Sequence, residues 1–298
     1  MLTKTRSRLR AFCPCFADVI QVKICKVSQN IIVVSSMPTA LITGASAGIG
    51  AAFAHELAAR QTNLVLVARS EAKLQQLAQQ LQEKYKIQIN VLVQDLTEPA
   101  AATDVFDTVT QKGLTIDLLI NNAGFGDYGS FAELDGERQV KMIQLNILAL
   151  VDLTHKFLPG MRQRRSGGII NMSSTAAFQP MPYFSVYAAS KAFVLSFSEA
   201  MSAENSNYGV RVLAVCPGPT ETDFFQDAKF PPFLASVAAG NYTPTEVVVR
   251  QALQALEKNQ STVVPGAIAN QLSANLPRFL PRETVVSLWK NILGARKN

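Results

Sequence analysis

A tyrosine and a lysine stand four positions apart in the stretch SVYAASKAF, at Tyr187 and Lys191. A phenol titrates near about pH 10 and a lysine near about 10.4, so neither is a base at neutral pH by itself. On a helix the two positions share one face, which sets the ammonium beside the phenolic oxygen. A cation there favours the phenolate and is expected to pull the tyrosine pKa down. The pair is then a candidate general acid/base, provided a substrate and a cofactor bind beside it.

A cofactor site is offered far upstream. The apolar run ALIT ends in Thr43-Gly44-Ala45-Ser46-Ala47-Gly48-Ile49-Gly50, and an amphipathic stretch comes directly after it. Glycines there permit a tight turn and a close backbone approach to a pyrophosphate, while the helix start offers free N–H groups. Gly44, Ser46, Gly48, Ile49 and Gly50 are therefore candidate cofactor-binding residues. The next apolar run ends in VLVARS. NAD sites place an acidic residue at such a strand end to hold the ribose 2′-hydroxyl. Here the residues are Ala68 and Arg69. Alanine removes a repulsive carboxylate and a guanidinium can grip a 2′-phosphate, so the expected cofactor is NADP rather than NAD.

These groups need a scaffold that brings residues 44, 69 and 187 together. From Thr39 the chain alternates short apolar runs with amphipathic stretches: ALIT, NLVLVAR, IQINVLVQDL, IDLLINNAG, GGIINMSS and VRVLAVCPG are separated by helical patterns. Continuous apolar strands between helices predict a parallel sheet covered on both faces. The expected fold is a doubly wound α/β domain of the Rossmann type, three layers deep. A long helix is expected around 138–158 and another around 186–205. TPTEVVVRQALQALEKN reads as a helix, STVVPG as a last strand, and the tail as one or two apolar helices extending the same domain. The reading is thus one domain over 37–298 with a short C-terminal helical extension.

Composition narrows the function classes. Residues 1–36 hold six basic residues against Asp18 alone, whereas the remainder carries 22 basic and 21 acidic residues. The body is nearly neutral and has no nucleic-acid face. Cys13, Cys15 and Cys25 lie in the leader and only Cys216 in the body, so no internal disulfide framework and a cytoplasmic setting are expected. His55 and His155 stand alone on helical patterns and read as surface residues; no metal site is expected. No stretch of eighteen apolar residues is free of charge, so no membrane span is expected. Asp18, Lys23 and Lys26 interrupt any signal-peptide core in the leader. Met37, just before the first strand, reads as the true start and residues 1–36 as a non-native or disordered leader, with a targeting or anchoring extension as the alternative.

The T-G-x-x-x-G-x-G loop, NNAG at Asn121–Gly124 and Tyr187-x-x-x-Lys191, in this order, resemble the short-chain dehydrogenase/reductase family over roughly residues 38–265. The single-domain length matches the family's reductase branch. LVARSEAKL, NNAGFGDYGSF and CPGPTET look most like its broad bacterial subgroup of general oxidoreductases. The resemblance implies Tyr187 as acid/base, with Lys191 tuning it and holding the nicotinamide ribose. It implies Ser174, rather than its neighbour Ser173, as the donor to the substrate carbonyl. Asn146 matches the asparagine that steadies a water relay to the lysine. It places Asp95 near the adenine and Asn122, Ala123 and Gly124 beside the adenosine ribose. Pro217 and Gly218 flank the nicotinamide, and Thr220 and Thr222 lie near its carboxamide or the phosphates. Pro219 and Thr220 stand where many members carry a bulky aliphatic residue. Tyr183, lacking a lysine partner, is expected to line the pocket.

The implied activity is hydride transfer between NADP and a carbonyl/secondary alcohol pair. By the same resemblance, residues 223–240, DFFQDAKFPPFLASVAAG, correspond to the segment that closes over substrate, and their four phenylalanines favour a bulky apolar compound over a small sugar. Surplus apolar surface on the two long helices, Phe193 and Phe197 included, predicts a homodimer or homotetramer. Two other readings remain open: a non-catalytic nucleotide sensor or scaffold, and a membrane-surface-associated lipid-carbonyl reductase that uses its apolar tail, with a 3-oxoacyl- or steroid-like substrate.

Overall fold

Strands β1 (Thr39–Thr43), β2 (Asn63–Ala68), β3 (Ile89–Val93), β4 (Leu118–Asn121), β5 (Gly167–Met172), β6 (Val210–Val215) and β7 (Thr262–Val263) form one sheet, every neighbouring pair parallel, in the order β3-β2-β1-β4-β5-β6-β7. They come from a computed structural model that describes residues 37–232, 234 and 242–294. The expectations for residues 1–36, for Phe233 and for 235–240 of the covering segment fall outside the described residues. The described residues belong to one compact unit that begins at Met37.

Central strands β1 and β5 are buried along their whole length, while edge strand β3 is only partly covered. That is the burial expected of a parallel sheet with helices on both faces. Helices α1 (Gly48–Ala59), α2 (Glu71–Tyr85) and α8 (Thr245–Glu257) cover one face, packing Phe53, Leu74, Leu81 and Val248 against Ala40, Ile42 and Leu66. Helices α3 (Ala101–Gln111) and α5 (Leu150–Arg164) cover the other, packing Val105, Leu153, Phe157 and Met161 against Leu41, Val65 and Ile169. Neighbouring residues of β1 thus serve opposite cores, as the strand pleat requires.

The long helix expected around 138–158 is interrupted. It runs as α4 (Gly136–Ile143), a π-helical stretch Gln144–Ala149, and then α5. A π-turn carries an extra residue, which offsets the next helical turn, and such turns are frequent at functional sites. Asn146 lies inside it. The last strand is shorter than STVVPG suggests, only Thr262–Val263. Pro265 has no N–H to donate and Gly266 turns away at φ +99°. Helix α6 (Ser185–Asn205) matches its predicted range. A short α7 (Phe224–Asp227) comes after β6, and the tail forms α9 (Ile268–Asn275), a 3₁₀ turn Leu276–Phe279 and α10 (Arg282–Gly294).

Candidate active site

In a doubly wound sheet, ligands bind at the carboxyl ends of the strands where the strand order reverses. Here β3 and β2 lie on one side of β1, and β4 on the other, so the crevice opens beyond the ends of β1 and β4. Gly44 succeeds β1, Arg69 succeeds β2, and Asp95 lies just past β3; Asn122, Ser174 and Pro217 stand likewise past β4, β5 and β6. The topology therefore gathers Gly44, Arg69, Asp95, Asn122, Ser174 and Pro217 along one edge of the sheet.

The glycine loop is built for close approach. Gly44 adopts φ +64°, and a Cβ on Gly50 would lie 2.2 Å from the Gly44 carbonyl oxygen and 2.6 Å from Asn122 Nδ2. Asn122 is the brace: its Nδ2 donates to the carbonyls of Thr43 (3.0 Å) and Gly44 (3.2 Å). The Thr43 hydroxyl in turn accepts the backbone N–H of Asn122 (2.9 Å) and Ala123 (3.0 Å). Helix α1 then starts at Gly48 with no side-chain cap and no acidic residue in its first turn. Its free N–H groups and positive dipole end suit an anion. Ser46 and Ile49 are half-buried beside that start.

Arg69 leaves the end of β2 with its side chain 78% exposed and 3.9 Å from Asp95. A free guanidinium there fits a 2′-phosphate. Asp95 is tied down by Thr97, whose backbone N–H and hydroxyl donate to Oδ1 at 3.0 and 2.8 Å. Burial pushes its carboxyl up, but the Thr97 bonds, Arg69 and Lys141 together hold it below its ordinary value. On the far side, the Thr222 side chain lies against Gly48, where an added Cβ would come within 3.0 Å. Thr220 is buried and its hydroxyl turns back to the Gly218 carbonyl (3.0 Å). The Pro217 carbonyl accepts from Thr175 N–H (3.0 Å), which locks the loop after β6 to the turn after β5.

Four side chains converge beyond β5. Tyr187 and Lys191 sit on the face of α6 that also buries Ala188, Val194, Leu195 and Ser198, so the same stripe that packs the helix delivers both. Only 7% of Tyr187 and 5% of Lys191 is exposed. Ser174 Oγ accepts the Ala176 N–H at 3.1 Å and lies beside the Tyr187 phenol, whose pKa it lowers. Its neighbour Ser173 points away, donating to the Lys191 carbonyl at 2.8 Å. Asn146 donates to Ser190 Oγ (3.0 Å), and Ser190 donates to the Tyr187 carbonyl (2.7 Å). Asn146 also clasps Phe125 through its N–H and carbonyl, each at 3.1 Å. Gly124 forms the floor, since a Cβ there would come within 2.9 Å of Asn146 Oδ1 and 3.3 Å of Lys191 Nζ.

The electrostatics correct one expectation. Lys191 does not pull the Tyr187 pKa down here. Burial pushes the phenol up to about 12, against the lowering effect of Ser174. Burial also pulls the Lys191 ammonium down to about 8. The ammonium donates to the Met172 carbonyl at 2.9 Å and lies 5.6 Å from the tyrosine ring centre. Desolvation is the largest influence on both groups. In this state the phenol is a proton donor. Beside it, burial raises the Cys216 thiol to about 12, which leaves it unreactive.

The substrate side is aromatic. Phe184 stacks on Tyr187 at 4.4 Å, and Phe224 lies 5.2 Å from it. Gly126 admits both rings: a Cβ would meet Phe184 at 2.7 Å and Phe224 at 2.9 Å. Phe230 packs on Phe184 (4.9 Å) and Tyr128 (4.8 Å), and Phe225 on Phe230 (5.1 Å). Tyr183 stands at the outer rim beside Tyr128, in a left-handed conformation of φ +63°. The C-terminal extension reaches this rim, for the Tyr128 hydroxyl donates to the Leu293 carbonyl and Gly294 abuts Tyr183. Sequence reasoning missed Thr43, Ser190, Phe184 and Gly126. Thr43 opens the glycine motif and Phe184 precedes α6, but nothing in their spacing shows what they touch. His55 and His155 are both exposed, and among the described residues no cluster of metal ligands is found.

A family model described as short chain dehydrogenase matches residues 38–230. A very-long-chain 3-oxoacyl-CoA reductase from Anas platyrhynchos is 35% identical over 256 residues, covering 84% of this chain and 78% of its own. A 17-beta-hydroxysteroid dehydrogenase type 3 from Mus musculus is 35% identical over 210 residues, covering 69% and 67%. A short-chain dehydrogenase from Sphingobium yanoikuyae, solved in complex with NADPH, superimposes with a TM-score of 0.73. It shares 32% identity and covers 88% of this chain and 99% of its own.

Proposed function

This chain belongs to the short-chain dehydrogenase/reductase family of oxidoreductases, and from that premise we propose that it uses NADPH to interconvert a carbonyl and a secondary alcohol on a bulky, apolar substrate. The observation that carries the reading is the buried Tyr187 and Lys191 beside the half-buried Ser174, with Phe184 and Phe224 packed against the tyrosine. The exposed Arg69, the uncapped start of α1 and the Cβ-free floor at Gly44, Gly50 and Gly124 suit a dinucleotide with a 2′-phosphate. The relative solved with NADPH supports that cofactor, and the 3-oxoacyl-CoA and steroid relatives support a long or polycyclic apolar substrate.

NADPH supplies the hydride when bound. The chain's own residues do the rest. Ser174 polarises the substrate oxygen as a preorganised donor. The Tyr187 phenol, kept protonated by burial, delivers the proton to that oxygen. Lys191 and the Asn146–Ser190 bonds hold the tyrosine in place from behind. NADPH consumption with long-chain 3-oxoacyl thioesters, keto-steroids and small sugars tests the reading. Activity on the first two and not the third is expected, with loss of about 10²–10⁴ in kcat on Tyr187→Phe. NADPH binding without turnover of any carbonyl would leave the sensor reading in its place.

A second reading concerns location. No helix among the described residues is long and apolar enough to cross a membrane. The C-terminal extension nonetheless exposes Ile268, Leu272, Leu276, Phe279 (82% exposed) and Leu288, interspersed with Arg278, Arg282 and Lys290 against Glu283. Apolar side chains with basic neighbours favour an anionic lipid surface. Co-sedimentation with anionic vesicles, weakened by Leu272→Ser with Phe279→Ser, is the expected result. Retention in the supernatant would remove this reading.

A further inference from the structure

Asp127 is a buried carboxylate that none of the chemistry above uses. Its side chain is wholly inaccessible, and three groups face it. Arg138 Nε lies 3.2 Å away, the Lys229 ammonium 4.0 Å, and Gln139 Nε2 donates to Oδ2 at 2.8 Å. The Arg138 approach is off the line of a hydrogen bond, so charge holds it.

Two of these groups lead to the segment that covers the site. Arg138 Nη2 donates to the Asp227 carbonyl at 3.0 Å and to the Gly126 carbonyl at 3.4 Å, while its guanidinium lies over the Phe125 ring at 4.8 Å. Lys229 belongs to the segment itself. It stands just past the Ala228 cap of α7 at φ +58°, a left-handed position that glycine or asparagine usually fills. A backbone bond adds to the set, from Tyr128 N–H to the Ala228 carbonyl at 2.8 Å. Residues 227–229 are thus tied at three successive points to the 125–128 loop and α4. The same short segment carries Phe224 and Phe230, whose rings close over Tyr187 and Phe184.

A buried ion pair is an expensive way to hold two elements together, and apolar packing would do so at lower cost. Its distinctive property is that charged ends rehydrate when they part, which suits a cover that must lift to admit substrate. We propose that Asp127, acting through Arg138 and Lys229, is a positioning residue that seats Asp223–Phe230 over the catalytic tyrosine and so sets the preference for bulky apolar substrates. The preference part rests on the function proposed above; the seating part does not.

Hydrogen exchange on the ligand-free protein reads the seating directly. The Ala228, Lys229 and Phe230 amides are hydrogen-bonded within the segment, to the carbonyls of Phe224, Gln226 and Phe225. Asp127→Asn should speed their exchange by about tenfold or more, and Lys229→Met, which loses a 4.0 Å contact of an exposed ammonium, by about two- to fivefold. The core amides of Ile169 and Ile170 should not change. Arg138→Lys, which keeps the charge, should exchange more slowly than Arg138→Met. Lys229 is exposed, so its variant remains informative even where Asp127→Asn fails to fold. In kinetics, Asp127→Asn should lower kcat/KM for a bulky aryl ketone about tenfold and leave that for a small ketone unchanged. Unchanged exchange in the segment, or equal acceleration in the sheet core, overturns the proposal. Equal loss on both ketones overturns the preference. Faster local exchange without any ketone turnover supports the seating and sinks the proposed function instead.

Discussion

Ser173 donates its hydroxyl to the backbone carbonyl of Lys191 at 2.8 Å, while the next residue along, Ser174, accepts the Ala176 N–H at 3.1 Å and sits beside the Tyr187 phenol, whose pKa it lowers. Two adjacent serines therefore do different work. Ser174→Ala should lower kcat by about 10²–10³, the usual cost of a lost preorganised donor, with thermal stability nearly intact. Ser173→Ala should do the reverse, costing about 0.5–1.5 kcal/mol of stability with a smaller effect on kcat. Denaturant melts beside initial rates decide it, and an exchange of these two outcomes would reassign the donor to Ser173.

The lysine makes the stability depend on pH in a defined direction. Folding lowers its pKa from 10.5 to about 8. Between those values the unfolded chain binds more protons than the folded one, so this group's contribution to stability rises with pH and is complete above about 10.5. Wild type should gain stability over Lys191→Met between pH 8 and pH 10.5, by about 3 kcal/mol at most. Tyr187 acts oppositely and higher, since its raised pKa withdraws stability from about pH 10 upward. Parallel pH curves for the two proteins would mean that Lys191 is solvated.

Among the described residues Arg69 makes one ion-pair contact, to Asp95 at 3.9 Å, and its side chain is 78% exposed. Arg69→Ala should leave stability unchanged and weaken NADPH by about 1.5–3 kcal/mol relative to NADH. Titration of both cofactors by fluorescence measures this. Equal weakening of the two would make the residue irrelevant to the 2′-phosphate.

The expected assembly rests on α4, α6 and the π-helical stretch. Val140, Ile143, Leu148 and Phe193 are exposed there, and Phe193 stacks on Phe197 at 5.9 Å. Covering these side chains in a symmetric contact would bury apolar surface and stiffen the helix that carries Tyr187 and Lys191. A homodimer or homotetramer is expected by light scattering, dissociated by Leu148→Glu with Phe193→Glu. A fully active monomer at micromolar concentration would contradict this.

The sequence by itself determined the parallel sheet, the order of its loops and the residues along its carboxyl edge. Those have local causes: apolar runs of strand length, helical periodicity between them, and glycines where backbone must turn or be approached. The four-residue spacing put Tyr187 and Lys191 on one face of α6. Only the tertiary structure decided what surrounds them. The direction of the Tyr187 shift depends on how completely packing excludes water, and the Met172 carbonyl that takes the Lys191 ammonium arrives from another strand. The interruption at Asn146 answers to Phe125, twenty-one residues earlier, and the rim at Tyr128 is met by Leu293, 165 residues later. Asp127 reads in sequence as a loop aspartate. Its burial against Arg138 and Lys229 is a property of three segments folded together, and no periodicity in any one of them encodes it.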